Sequence, residues 1–201
     1  MKIAILGGGK VGTALGDGWS ATGHNVTYGS RNPQKQPGAQ RKFESIEYAI
    51  RASEVVVLSI PWNAVQDVLG SNNLSGKIVI DCTNPLTASA SGLDLSIGFT
   101  TSAGEEVAKL AKGARVVKAF NTTGAGNMRD PQYGKTRLTM LYAGDDEAAK
   151  ETVRRLIGDI GFDPVDAGPM KSARYLEPLA ALWSSLSRKM GTDIAFQLIQ
   201  R

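Results

Sequence analysis

The chain has 201 residues, 42% of them hydrophobic, and its 23 Lys and Arg against 19 Asp and Glu leave a net charge of +4; one full core and a short appendage are the natural expectation. The basic residues are dispersed, with no basic run, aromatic interleaving or nucleic-acid motif, which argues against nucleic acid and for an anionic small molecule as partner. A single cysteine excludes an internal disulfide and suits a reducing cytoplasm; no apolar run of about 20 residues exists to cross a membrane, and Met1-Lys2 leads into a strand rather than a signal peptide.

Residues 2–6 read as a short buried strand that breaks into Gly7-Gly8-Gly9-Lys10-Val11-Gly12. Gly7, Gly9 and Gly12 satisfy G-x-G-x-x-G between a strand and a helix, the context that a dinucleotide-binding turn requires. Gly7 allows the tight turn, Gly9 a close approach of backbone to a pyrophosphate, and Gly12 the packing of helix on sheet, with the helix N-terminus facing the phosphates. The helix runs from Lys10 to about Thr22, and the only histidine, His24, follows in a turn and reads as solvated. The second strand, Val26–Gly29, ends at Ser30-Arg31-Asn32-Pro33. Arg31 stands where this fold places the residue facing the adenine ribose, and no acid occurs between Asp17 and Glu44. A carboxylate would repel a 2′-phosphate; Ser30, Arg31 and Lys35 would hold one, which selects NADP over NAD.

Residues 44–52 read as a short helix, and 54–60 as a central parallel strand buried on both faces. It ends at Ile60-Pro61-Trp62, where Trp62 either covers a bound cofactor or packs under the next helix, Ala64–Leu69. Strand 77–81 leads to the polar turn Cys82-Thr83-Asn84-Pro85-Leu86, and residues 87–104 read as a loop. The pair Ser102 and Glu105 forms a capping box for a helix to about Lys112. Strand 115–120 ends at Asn121-Thr122-Thr123-Gly124-Ala125-Gly126. In an open parallel sheet, four such carboxyl-end turns line one crevice. Strand 138–143, a helix opened by Asp145-Asp146, an edge strand 162–166 and a helical tail over 173–200 complete the chain.

No catalytic set stands out: there is no Tyr-x-x-x-Lys pair, no G-x-S-x-G and no metal-ligand spacing, Cys82 has no histidine partner, and Lys118 reads as a mid-strand residue. Reducing a carbonyl requires an acid to protonate the product oxygen. Passing hydride between a nicotinamide and a flavin-like ring mainly requires the rings to be held face to face.

The glycine loop, Gly29-Ser30-Arg31-Asn32-Pro33, Ser59-Ile60-Pro61-Trp62, Gly144-Asp145-Asp146 and Val165-Asp166-Ala167-Gly168-Pro169, in that order and with the helical tail, resemble the coenzyme F420-dependent NADP oxidoreductase family, whose domain also occurs in the STEAP metalloreductases. The resemblance implies an α/β, Rossmann-type, doubly wound and mostly parallel sheet: an NADP-binding domain over 1–168 and a C-terminal helical segment over 169–201 that completes the substrate site, in a homodimer. It implies NADP on Gly7 to Gly12 and on Ser30, Arg31 and Lys35, with Pro61, Val65, Pro85 and Ala125 along the cofactor. Ile60, Trp62 and Asn84 belong to the same crevice. The family's deazaflavin enzymes transfer hydride reversibly between carbon 4 of NADPH and carbon 5 of the deazaflavin, without an essential protein acid. Enzymes acting on F420 can carry a histidine near that ring; here Asn121 stands in its place, and Lys118-Ala119-Phe120-Asn121 resembles the STEAP version, which works with a flavin. The second redox partner is therefore F420 or a flavin (FMN or FAD), with Asn121, Thr122 and Thr123 as its polar contacts. Two other readings stay open: a small carbonyl or imine reductase, and a non-catalytic NADP(H) sensor.

Overall fold

Strands with apolar residues on both faces need a layer of helices on each side, and this chain supplies both layers. The computed structural model describes residues 1–35, 41–89 and 92–201. Strand β1 (Lys2–Leu6), helix α1 (Lys10–Ala21) and strand β2 (Asn25–Ser30) form the first parallel unit, and a short turn, Pro33–Lys35, follows. Then come β3 (Phe43–Ser45), α2 (Ile46–Ala52), β4 (Val55–Leu58), α3 (Val65–Gly70) and β5 (Ile78–Asp81). A hairpin, β6 (Leu86–Ser89) with β7 (Gly92–Leu95), precedes α4 (Ala103–Leu110) and β8 (Arg115–Lys118). Helix α5 (Ala125–Arg129), a small hairpin of β9 (Gln132–Tyr133) and β10 (Thr136–Arg137), β11 (Thr139–Gly144), α6 (Glu147–Asp159), β12 (Asp163–Asp166) and α7 (Ala173–Met190) follow.

The main sheet runs β12-β11-β8-β5-β4-β1-β2-β3. It is parallel from β3 to β8; β11 pairs antiparallel with β8 through Ala143 opposite Lys118, and β12 lies parallel to β11 at the edge. The doubly wound, mostly parallel expectation holds. The inversion at β11 brings its first residues to the crevice end of β8, beside Thr122.

Alternate residues of each strand face opposite cores. Ile3, Ile5, Val55, Val57, Ile80 and Val117 pack with Leu15 and Trp19 of α1 and Leu156 and Ile157 of α6. Ala4, Leu6, Val56, Leu58, Val79 and Val116 pack beneath α2, α3 and α4. The indole N–H of Trp19 donates to the Leu156 carbonyl at 2.8 Å, joining α1 to α6 inside the first core.

Four expectations need correction. The loop over 87–104 contains the β6–β7 hairpin, whose strands are too short for alternation to signal them. The helix expected over 44–52 starts only at Ile46, because residues 43–45 add β3 beside β2. The helical tail stops at Met190: Gly191 adopts φ +87°, and residues 191–201 run as an irregular strap. His24 is also not simply solvated, since its Nε2 lies 2.9 Å from Asp159 Oδ2 at the end of the sheet away from the crevice.

Candidate functional site

Two glycines of the loop are fixed by crowding and one by open space. Gly7 has φ +111°, and a Cβ there would stand 2.5 Å from the Ser59 carbonyl oxygen. A Cβ on Gly12 would collide with the Gly7 carbonyl and approach Ser59 Oγ to 2.6 Å. Ser59 sits between them, its hydroxyl donating to the carbonyls of Leu6 at 3.1 Å and Gly7 at 3.0 Å. Over Gly9, by contrast, nothing lies within 4 Å of an added Cβ. Gly9 caps α1 with no side-chain acceptor, and the first turn holds no acid, so the leading amides of a twelve-residue helix face the opening. This cradle fits a pyrophosphate.

The cradle opens into a groove of about 630 Å³. Gly7, Gly8, Gly9, Ser30 and Arg31 form one side, Ile60 and Pro61 the floor, and Ala64, Asp67, Val68, Ser71 and Asn72 the far wall. The remaining candidate cofactor residues sit elsewhere. Lys10 is exposed at the start of α1, Val11 is half-buried against the first core, and Gly12 is buried. Trp62 packs on the second core, and Val65, 1% exposed, belongs to that core. Lys35 closes the turn after β2, and its side chain lies outside the described residues. The α3 wall was missed in the sequence, although positions 64, 67, 68 and 71 share one helical face.

Asn84, Pro85, Asn121, Thr122, Thr123 and Ala125 gather at the ends of β5 and β8. Pro85 is buried, and Ala125 is half-buried on α5, which packs against α1. Phe120 turns the chain out of β8 at φ +61°, a conformation costing about 1–3 kcal/mol that packing must hold. Its ring is wedged edge-on between Trp19 at 5.7 Å and Phe162 at 6.2 Å. Asn121 then donates its amide to Asn84 Oδ1 at 3.0 Å and to the Leu176 carbonyl at 3.1 Å, while Asn84 donates to the Asn121 carbonyl at 2.8 Å. Asn121 Oδ1 is buried without a partner in this arrangement.

Beneath this node lies a fully buried charge cluster. Lys118 Nζ sits 2.8 Å from Asp81 Oδ2 and 3.0 Å from Glu177 Oε1, and donates to the Thr83 carbonyl at 2.6 Å. The Glu177 carboxylate also accepts the Ala103 and Gly104 amides at 2.9 Å, so a residue of α7 caps α4. Asp81 Oδ1 takes the Thr83 amide and hydroxyl at 2.9 and 2.7 Å. Burial alone would push the Lys118 ammonium down, but the two carboxylates outweigh it and hold it above the ordinary lysine range. It stays charged and releases no proton near neutral pH. Burial, with Asp81 adding to it, pushes the Cys82 thiol far up, which makes it inert.

Beyond Thr122 and Thr123 lies a second, mainly apolar pocket of about 180 Å³ under Leu179 and the strap residues Ala195–Leu198, with Leu138 and Leu141 at its base. The strap is pinned there: Asn127 Nδ2 and Trp183 Nε1 both donate to the Ile194 carbonyl at 2.8 Å, and the Leu198 amide donates to Thr139 Oγ1 at 3.0 Å. A Cβ on Gly124 would stand 2.6 Å from the Trp183 ring, so α7 lies directly against this turn. Among the described residues, no group of three or more His, Cys, Asp or Glu could hold a metal, and no helix is long and apolar enough to cross a membrane.

The chain has counterparts among known proteins. Residues 2–85 match the model of the family described as NADP oxidoreductase, coenzyme F420-dependent. The metalloreductase STEAP3 of Rattus norvegicus is 31% identical over 185 residues, covering 89% of this chain and 36% of its own, so the chain spans about a third of that relative. A crystal structure from Arthrobacter sp. FB24, whose proposed identity is an F420-dependent NADP reductase, superposes with a TM-score of 0.88 at 28% identity over 100% of both chains. A reductive aminase of Aspergillus terreus, at 23% identity and a TM-score of 0.68, covers 94% of this chain and 62% of its own and shares the fold alone. The likeness to the coenzyme F420-dependent NADP oxidoreductase family thus lies in residues 2–85, which carry the glycine loop and the groove.

Proposed function

We propose that the protein transfers hydride between NADPH and a deazaflavin, coenzyme F420, or a flavin such as FMN or FAD. One observation carries the choice of acceptor class: among the described residues, the crevice offers no free proton donor. Lys118 is locked between two carboxylates, the Cys82 thiol is inert, and the polar groups near the ends of β5 and β8 are amides and hydroxyls. A carbonyl reductase would need an acid there. A ring-to-ring hydride transfer needs position and dryness.

Each part of the chain then has a task. The Gly7–Gly9 backbone and the start of α1 hold the pyrophosphate, and Ser30, Arg31 and Lys35 hold the 2′-phosphate. From β2 to β8 the sheet spans four strand gaps, about 19 Å, the stretch along which the dinucleotide lies. Ile60 and Pro61 floor the groove along its course, Asn84, Pro85 and Ala125 stand further on toward the end of β8, and Trp62 and Val65, packed in the second core, support that floor from behind. NADPH supplies the hydride. Asn121, Thr122 and Thr123 orient the acceptor, and the 169–201 segment covers it and keeps water away. The family resemblance adds a homodimer, for which Tyr175, Leu182 and Met190, exposed along α7, offer an apolar surface. The single inert thiol suits a cytoplasmic setting.

Replacing Arg31 with Glu should weaken NADPH by about 100-fold and NADH by less than about threefold, because a guanidinium–phosphate grip becomes a repulsion. Fluorescence titration with both cofactors reads this, and equal losses would remove the 2′-phosphate assignment. The acceptor is tested by anaerobic mixing of protein and NADPH with oxidised F420, FMN or FAD, following both chromophores. Bleaching of F420 alone assigns the deazaflavin, and flavin reduction alone assigns a flavin reductase. Tight NADPH binding without turnover would instead support a sensor.

A further inference from the structure

The α3 wall of the groove carries recognition chemistry of its own. Ala64, Asp67, Val68 and Ser71 fall on one helical face and all line the groove. Ala64 and Val68 are half-buried and form an apolar strip, while Asp67 stands at its edge, exposed. Asn72 spends its amide on the Val68 carbonyl at 2.8 Å. Among the described residues, neither Asp67 nor Arg31 on the opposite wall is engaged in an ion pair. A free carboxylate in a groove built for phosphates calls for a partner that donates hydrogen bonds.

The pyrophosphate belongs at the glycine amides and the 2′-phosphate at Ser30 and Arg31, and a carboxylate would repel either. What remains of the dinucleotide on this side is the base. Its flat face suits the Ala64–Val68 strip, with the planar Arg31 guanidinium on the other side. Its edge carries the exocyclic amine, a donor for a group that only accepts.

We propose that Asp67 reads the adenine base, accepting a hydrogen bond from the exocyclic amine while Ala64 and Val68 support the ring. This rests on the dinucleotide reading above and adds a base-specificity residue to it. No bond is made or broken.

The test compares affinity for NADPH with affinity for its hypoxanthine analogue, in which a carbonyl replaces the amine. The wild type should bind NADPH at least about tenfold more tightly, the value of a hydrogen bond to a charged group. In Asp67→Asn the ratio should fall below about threefold, because the carboxamide can donate to the carbonyl. Ratios are compared because removing a negative charge tightens both ligands alike. An unchanged ratio in Asp67→Asn, or equal affinities in the wild type, would overturn the assignment while leaving NADPH binding intact. Failure of the wild type to bind either dinucleotide would overturn the nucleotide reading and this one with it. The wild-type ratio needs no variant, so a folding defect in Asp67→Asn would not shelter the proposal.

Discussion

Replacing Lys118 with methionine should lower the unfolding free energy by about 3–5 kcal/mol, because it leaves two carboxylates buried side by side without their cation. That is a large share of the roughly 5–15 kcal/mol that holds a domain together. The urea midpoint should fall by about 2 M at a slope ordinary for a chain of this size. Adding Asp81→Asn and Glu177→Gln to Lys118→Met should recover most of the loss, since the buried charges then disappear together. An unchanged midpoint in Lys118→Met would mean that Asp81 and Glu177 find water or protons without cost. Recovery in the triple variant separates electrostatics from simple loss of side-chain volume, which all the variants share.

Gly9→Val should abolish binding of NADPH and NADH alike, by at least about 100-fold, while the fold survives. The added side chain fills the space over the cradle and stands where a pyrophosphate must approach. Gly9 has φ −75° and ψ −175°, extended backbone open to any residue, so the fold loses only about 1 kcal/mol at the helix cap. The melting temperature should drop by less than about 4 °C. Gly12→Val is the contrasting control, because its side chain would strike the Gly7 carbonyl and Ser59. It should unfold the protein before it says anything about ligands. Retained affinity in Gly9→Val, measured by titration of cofactor fluorescence, would show that the loop does not cradle phosphates.

Local signals in the sequence reached the features that local physics decides. The first strand, the glycine loop and the first helix were legible within a residue because turn chemistry, burial and helix periodicity agree there. The capping box was equally legible: Ser102 Oγ donates to Glu105 at 2.8 Å and accepts the Glu105 amide at 3.2 Å. Asp146 caps α6 as its position suggests, whereas Asp145 reaches across to the Met170 amide at 2.9 Å. What stayed hidden was long-range. Nothing near Lys118 announces Asp81 or Glu177, and no periodicity tells a strand whether it runs with or against its neighbour, so the inversion of β11 was invisible. The strap after Gly191 deceived for a different reason: its apolar residues extend the pattern of the tail, yet Ala195 and Phe196 line the pocket while Leu198 and Ile199 stay largely exposed.

Because Glu177 belongs to α7 yet completes the charge cluster inside the sheet, the helix over the acceptor pocket cannot swing outward without stranding a cation and a carboxylate in a dry interior. That makes it a fixed jamb rather than a gate. Under the proposed function, an acceptor ring would slip into a slot already cut to width, and selection among rings would fall to size and outline rather than to a closing motion. The backbone amides of α7 near Glu177 should then resist deuterium as long as those of β8, since the two can open only when the whole domain does.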